Sequence, residues 1–303
     1  MRRILLATLA ASFVSGAALA TPGDRALDDV RILSADDMAG RGIETEGGAR
    51  ARAYVTARFR EMGLAAREQP FGFTRKRDGK EVHGINLIVR IEGSRPGGKV
   101  IVVTAHYDHL GTRDGVIFNG ADDNASGVAG LLAVAEAFKA APPKHTILIV
   151  ALDGEENGLR GARAFVESPP VPLETIGLNV NFDMLGKNAK NELYAAGGSQ
   201  FSWLKVRLEQ VARGAPVTLL LGHDTDADGQ QNNWTLQSDH GVFAKAGVPW
   251  VYFGVEDHPE YHKATDDFAT VPQDFFLRSV KTVVAACRLF DDELDAMMQE
   301  ARG

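Results

Sequence analysis

Short apolar runs rich in β-branched residues alternate along this chain with longer segments whose apolar residues recur at helical spacing. The short runs are bounded by Gly, Pro or polar residues, as is typical of buried strands. Because strands and helices alternate, we predict the α/β class: a three-layer α/β/α sandwich whose central sheet is mixed and largely parallel. The predicted strands are 85–91, 100–105, 147–152, 176–182, 217–221 and 248–253, and the predicted helices are 49–62, 127–140, 201–213 and 274–298.

The start of the chain, 1–20, predicts a secretory signal peptide. Arg2 and Arg3 precede an apolar stretch that ends in the small-residue pattern Ala18-Leu19-Ala20. The stretch is shorter than the roughly 20 residues of a membrane-spanning helix, so we expect cleavage rather than anchoring. No Ser-rich, Pro-rich or like-charge run divides the remainder, and we therefore expect one domain over 21–303, secreted or periplasmic.

The overall charge limits the classes of partner. The chain has 33 Lys and Arg against 40 Asp and Glu, a formal net charge of −7. This acidic balance gives no electrostatic reason to expect a nucleic acid or an anionic membrane as partner. The single cysteine, Cys287, excludes an internal disulfide, so the core must supply the stability. We expect a monomer.

Acidic and histidine side chains follow directly after three of the predicted strands. Ligands of open α/β sheets bind outside the carboxyl ends of the strands, where these segments are expected to converge. Taken one at a time, each of these segments is better explained as a helix cap, a solvent-exposed pair of acidic side chains or a hydrogen-bonded histidine in the core. Together they predict one site. The segments are His106-Tyr107-Asp108-His109, Asp153-Gly154-Glu155-Glu156 and Asp183.

Six motifs that include these segments occur in order between about Gly40 and about Phe268. They resemble those of the two-zinc aminopeptidases of peptidase clan MH, of the bacterial leucyl aminopeptidase type. The resemblance implies a zinc-dependent exopeptidase fold and hydrolysis of peptide substrates. The motifs are Ala105-His106-Tyr107-Asp108, Gly120-Ala121-Asp122-Asp123-Asn124-Ala125-Ser126-Gly127, Asp153-Gly154-Glu155-Glu156 with Gly158-Leu159-Arg160-Gly161, Asn181-Phe182-Asp183-Met184, Ser238-Asp239-His240 and Tyr261-His262-Lys263.

The resemblance implies metal-binding roles for five matching positions. His106 and Asp183 would bind one zinc ion. Glu156 and His262 would bind the other, and Asp123 would bridge both. Independently of the resemblance, three carboxylates offset three of the four positive charges on two zinc ions, and one bridging hydroxide brings the cluster to zero.

Two further positions receive catalytic roles from the resemblance. Asp108 would orient the His106 ring without binding the metal itself. Glu155 would be the general base and acid. The family also places a cis peptide after its bridging aspartate, here between Asp123 and Asn124.

Three interpretations of the activity differ in metal content. An aminopeptidase with two zinc ions is favoured by His106 and by Gly158-Leu159-Arg160-Gly161. A glutaminyl cyclase would work with one zinc ion, and a degenerate binding protein would have lost metal ligands that this sequence retains. The preferred side chain and the choice among aminopeptidase, carboxypeptidase and dipeptidase stay open.

The residues that would hold the oxyanion and the substrate amine are less well defined. Some relatives carry a Tyr three residues before the Ser of Ser-Asp-His, and this sequence has Thr235 there. Oxyanion assistance would then come from Tyr252, from His240 or from zinc alone. Candidates for capturing the free amine are Asp239, Glu256 and Asp257.

One acidic loop is similar to a calcium-binding motif. The residues from Asp224 to Gly229 match the first half of an EF-hand loop, but the twelfth position is Thr235 instead of the bidentate Glu that the loop requires. We therefore expect a surface turn, with weak calcium binding as the alternative.

Overall fold

The computed structural model describes residues 25–95 and 97–302, so the predicted signal peptide lies outside the described residues. The helices are α1 (Ala26–Leu33), α2 (Glu46–Glu61), α3 (Gly127–Ala140), α4 (Arg160–Glu167), α5 (Ser202–Gly214), α6 (His240–Lys245) and α7 (Gln273–Glu300). The strands are β1 (Ala66–Thr74), β2 (Glu81–Ile91), β3 (Val100–His106), β4 (Thr112–Arg113), β5 (Val116–Ile117), β6 (Thr146–Leu152), β7 (Ile176–Phe182), β8 (Glu192–Ala196), β9 (Thr218–Leu221) and β10 (Trp250–Gly254).

Eight of these strands form one sheet in the order β1-β2-β6-β3-β7-β10-β8-β9. The central strands β6, β3, β7 and β10 are parallel to one another. Antiparallel pairs occur toward the edges, between β1 and β2, β2 and β6, and β10 and β8. The predicted mixed, largely parallel sheet is confirmed.

Successive residues of the central strands face opposite sides of the sheet, and each side packs against helices. On one side, Ile101 and Val103 of β3 belong to a large core with residues of α1, α2, α3, α5 and α7. On the other side, Val100 and Val102 pack in a smaller core with residues of α4 and α6. This arrangement confirms the three-layer sandwich. The part of the chain described here contains no helix that is long and apolar enough to cross a membrane.

All the predicted strands and helices occur in the structure, with shifted ends. The sequence did not predict β1, β4, β5, β8, α1, α4 or α6. Strand β1 lies at the sheet edge and is mostly exposed, so it lacks the apolar run that marks a buried strand. Helices α4 and α6 have 8 and 6 residues, which is too short for a helical period to stand out.

Candidate metal centre

Three neighbouring parallel strands bring the predicted site residues to one edge of the sheet. Strand β3 ends at His106, while Asp183 directly follows β7. Glu155 and Glu156 lie in a short helical turn that follows β6, and glycines in left-handed conformation lie on both sides of that turn. Because β3 lies between β6 and β7, the three segments meet.

The first group consists of His106, Asp123 and Asp183, whose ligand atoms lie within 4.8 Å of one another and could hold a metal ion. His106 Nε2 is 3.2 Å from Asp183 Oδ1 and 3.5 Å from Asp123 Oδ1. Burial lowers the pKa of His106, but the carboxylates of Asp183, Glu155 and Asp123 together raise that pKa by more, so the net pKa is well above the ordinary value. Ser238 donates a 2.7 Å hydrogen bond to Asp183 Oδ2.

The second group surrounds the other carboxylate oxygen of Asp123. His262 Nε2 is 3.1 Å from Asp123 Oδ2 and 3.6 Å from Glu156 Oε2. His109, Asp123 and Glu156 also offer ligand atoms within 4.8 Å of one another. Asp123 therefore faces both groups, one with each oxygen, as the bridging role implied by the resemblance requires.

The structure thus brings the five predicted metal ligands together and places His109, which was not predicted from the sequence, beside them. His109 Nδ1 is 2.7 Å from Glu156 Oε1. Burial lowers the pKa of His109 to about 3. The sequence feature that could have indicated His109 is its position, because it lies in the same segment after strand 100–105 as His106 and Asp108.

The donor set fits divalent metal ions. Burial raises the pKa of Glu156, as expected for a carboxylate that is removed from water beside Asp123 and Asp183. Glu156 Oε1 and both ring nitrogens of His109 are buried and have no hydrogen-bond partner among the described residues. Imidazole nitrogens combined with carboxylate oxygens are ligands that suit zinc.

Asp108 holds the turn that carries the two glutamates. Its carboxylate accepts hydrogen bonds from the backbone N–H groups of Glu155, at 3.1 Å, and Glu156, at 3.4 Å. His106 Nδ1 lies 3.1 Å from the backbone oxygen of Asp108 and 3.7 Å from its carboxylate. Asp108 therefore contacts His106 through its backbone oxygen, and its carboxylate positions the two glutamates.

The loop that carries Asp123 is fixed from two directions. The Asp266 carboxylate accepts the backbone N–H groups of Asp122 and Asp123 at 3.0 to 3.1 Å. The Asn124 side chain donates to the backbone oxygen of Phe182 at 3.0 Å, at the end of β7. The peptide bond between Asp123 and Asn124 is cis, as the resemblance implies.

A buried arginine, Arg41, connects the loop that carries Asp123 to the segment that follows β3. Its guanidinium donates five hydrogen bonds of 2.5 to 3.3 Å, all to backbone oxygens. Arg41 and Gly40 both have positive φ, and a Cβ at Gly40 would lie 2.4 Å from the Gly111 oxygen. The guanidinium thus ties the segment after β3 to the Asp123 loop. The acceptors are Leu33, Tyr107, Asn119, Gly120 and Asp123.

The five predicted metal ligands line a cavity of about 390 Å³. Glu155 and Asp257 contribute carboxylates to its wall. Apolar side chains form much of the remainder, so the cavity offers space for an apolar side chain beside the metal ligands. These apolar residues are Leu159, Met184, Trp234, Leu236, Val255 and Tyr261.

Two expected oxyanion donors are already engaged. The Tyr252 hydroxyl donates to the backbone oxygen of Asp183 at 2.9 Å, which uses its only proton. His240 is fully buried, and its Nε2 lies 2.8 Å from the backbone oxygen of Trp234. Neither residue therefore presents a free donor to the cavity through these groups, which favours zinc alone among the three alternatives.

Only one of the three candidate amine-binding carboxylates lines the cavity. Asp257 does so. Asp239 is fully buried outside the lining, and Glu256 faces Lys190 at 3.9 Å and His223 at 3.8 Å. Asp239 and Glu256 are therefore poorly placed to meet a substrate amine.

The EF-hand-like loop uses its carboxylates internally. Asp224 Oδ2 accepts the backbone N–H groups of Gly197 and Ser199, each at 2.8 Å. Asp228 Oδ2 accepts hydrogen bonds from the backbone N–H and the hydroxyl of Thr225, which is the N-cap of this short turn. These bonds support the predicted surface turn over the calcium loop.

Comparison with known proteins places the site within a family. Residues 86–287 match the model of Peptidase family M28. Leucine aminopeptidase 2 of Trichophyton equinum is 28% identical over 169 residues, which cover 54% of this chain and 32% of that protein. Aminopeptidase YwaD of Bacillus subtilis (strain 168) is 28% identical over 199 residues, which cover 62% of this chain and 40% of that protein. The chain thus spans less than half the length of these curated relatives.

Solved structures share the fold. BSAP, a zinc aminopeptidase from Bacillus subtilis, has a TM-score of 0.73 at 17% identity, covering 89% of this chain and 96% of its own. The glutaminyl cyclase of Porphyromonas gingivalis has a TM-score of 0.70 at 19% identity, covering 88% of this chain and 97% of its own. Since the family model spans most of the chain, including all five predicted metal ligands, this protein belongs to peptidase family M28.

Proposed function

We propose that this protein is an exported aminopeptidase that binds two zinc ions and hydrolyses N-terminal peptide bonds, with Glu155 as general base. The observation that carries the proposal is the pair of ligand groups sharing Asp123 beside the Glu155 carboxylate in one cavity. Export rests on the sequence of 1–20 alone. Bound zinc ions would supply Lewis acidity and would lower the pKa of a water molecule between them.

Glu155 is suited to move a proton during this reaction. Burial raises the pKa of Glu155 well above its ordinary value, and the carboxylates of Asp183 and Asp239 raise it further, while His106 lowers it. A raised pKa favours proton uptake from water by the Glu155 carboxylate and return of that proton to the leaving nitrogen. Asp108 holds the Glu155 backbone during both transfers.

The shape and charge of the cavity favour an amino-terminal substrate residue. The Asp257 carboxylate lines the wall and would attract a free ammonium group. Apolar side chains such as Leu159 and Leu236 would contact the side chain of the first residue. We therefore propose apolar N-terminal residues as the preferred substrates.

A substrate panel tests the reaction type, the end preference and the need for metal together. We expect leucine p-nitroanilide to be cleaved and N-acetyl-leucine p-nitroanilide to be cleaved about 5-fold more slowly, because acetylation removes the ammonium charge. Asp257 is exposed, and an exposed ion pair contributes up to about 1 kcal/mol. A chelator should abolish cleavage, and added zinc should restore it.

The same panel contains the outcomes that would contradict the proposal. Cyclisation of N-terminal glutamine without amide cleavage, at one zinc per chain, would favour a cyclase. Faster cleavage of the blocked substrate would rule out recognition of a free amine. Full activity in the presence of chelator would exclude a metal-dependent reaction.

A further inference from the structure

A second cavity adjoins the cavity that the metal ligands line, which we call the metal-site cavity. The second cavity has a volume of about 810 Å³, against about 390 Å³ for the metal-site cavity. Leu236 and Gln237 line both cavities and form their shared border. Just before this border, Trp234 lines the metal-site cavity, while Asn233 and Thr235 line the second cavity. A ligand that crosses the shared border therefore passes from one cavity into the other.

The chemistry of the second cavity suits the backbone of a peptide. Carboxamide side chains both donate and accept hydrogen bonds, as peptide groups do. The described residues that line this cavity include no cationic side chain, so it offers no ion-pair partner for the carboxylate at the end of a peptide. The cavity therefore suits the interior of a peptide chain better than its carboxyl end. Beyond the shared border, the polar lining side chains are Gln200, Thr225, Asp226, Gln230, Asn233 and Thr235.

Some groups that line the second cavity are available to a ligand. The Gln230 side chain and the Thr235 hydroxyl have no hydrogen-bond partner within the described ranges 25–95 and 97–302. Leu236, on the shared border, is 48% exposed, although leucine side chains are usually buried. A peptide that crosses the border would cover this apolar surface, which favours binding.

The loop that forms the second cavity is fixed before any ligand binds. The His223 ring stacks on the buried Trp234 ring, with 3.8 Å between centroids and 5° between planes. The Trp234 backbone N–H also donates to the His223 oxygen at 2.7 Å. The Asp224 carboxylate accepts the backbone N–H groups of Gly197 and Ser199 and so joins the loop to the segment after β8. A peptide would therefore bind without the cost of ordering this loop.

We infer that the second cavity binds the substrate residues that follow the scissile bond, so that the substrates are peptides extending at least two residues beyond that bond. The inference rests on the proposed function. A substrate of an aminopeptidase has one residue before the scissile bond, and the apolar wall at Leu159 and Trp234 already provides space for its side chain. The remainder of the peptide must leave the metal-site cavity, and the shared border leads to a second space with matching chemistry.

The test compares kcat/KM of the zinc-loaded protein for Leu-Ala-NH2 and Leu-Ala-Ala-Ala-NH2. Both peptides have the same first residue, the same scissile bond and no terminal carboxylate, so they differ only in length. We expect a ratio of at least about 10 in favour of the longer peptide, the effect of one or two additional hydrogen bonds.

Two variants locate the origin of this length dependence. Q230A removes a side chain without partners among the described residues, and we expect the ratio to fall by about 3-fold. T235F fills part of the second cavity, and we expect the ratio to fall to about 1. Q231A is the matched control, because Gln231 is the exposed neighbour of Gln230 and lines neither cavity. The control should keep the ratio of the unsubstituted protein.

Three outcomes would overturn the inference. The first is a ratio near 1 in the unsubstituted protein, and the second is a ratio that neither Q230A nor T235F changes. The third is a T235F variant that keeps the ratio but changes the preference between Leu-Ala-NH2 and Trp-Ala-NH2, which would assign the cavity to the first side chain. If the unsubstituted protein cleaves neither peptide, the proposed function fails instead, so the two failures are distinguishable.

Discussion

Replacing Glu155 with Gln is expected to lower kcat by about 10²- to 10⁴-fold, the usual contribution of a positioned general base. Glutamine has the same shape but accepts no proton at neutral pH. The bond from Asp108 to position 155 uses the backbone N–H, which the substitution leaves in place. Zinc content and thermal stability should therefore stay close to those of the unsubstituted protein.

The measurement is kcat for leucine p-nitroanilide together with zinc content by mass spectrometry. E46Q is the matched control, because the Glu46 side chain is 95% exposed. We expect full activity from the control. If E155Q retained at least a third of the turnover with its zinc bound, Glu155 would have no role in proton transfer.

Replacing Arg41 with Met is expected to lower the free energy of unfolding by at least about 3 kcal/mol. The substitution removes all five donors from backbone oxygens beneath the site, and each buried acceptor left unsatisfied costs about 1 to 3 kcal/mol before relaxation. R41K keeps the charge but offers at most three donors, so we expect an intermediate loss.

Denaturant unfolding of the metal-free protein measures this effect without a contribution from zinc. R77M is the control, because the Arg77 side chain is 75% exposed, and its loss should change the free energy of unfolding by less than about 0.5 kcal/mol. A loss as small as this in R41M would show that water or relaxation satisfies the backbone oxygens, and that Arg41 does not hold the loops.

The sequence predicted the layers of the fold and the convergence of the site because both follow from local patterns. Buried parallel strands such as Val100–His106 are continuous apolar runs, and binding sites lie at their carboxyl ends. Edge strand β1 escaped prediction because half-exposed strands carry a weak pattern. Arg41 also escaped, since arginine is rarely buried and its sequence neighbours give no sign of five distant acceptors.

Residue types in a sequence do not reveal which partner each side chain finds. The backbone oxygen of Asp183 accepts a hydrogen bond from the Tyr252 hydroxyl, which was one of three alternatives for holding the oxyanion. Asp108 divides its contacts, with its backbone toward His106 and its carboxylate toward the glutamate turn. His109 had the same strand-end signal as His106, but only distances place it beside Glu156.

The most direct test of the two-cation centre is anomalous X-ray scattering at the zinc edge from crystals of the zinc-loaded protein. We predict two peaks roughly 3.5 to 4 Å apart, the spacing of two-metal hydrolytic sites. One should lie between His106 and Asp183, the other beside Glu156 and His262, with Asp123 between them. A single peak, or two peaks that do not share Asp123, would contradict the account.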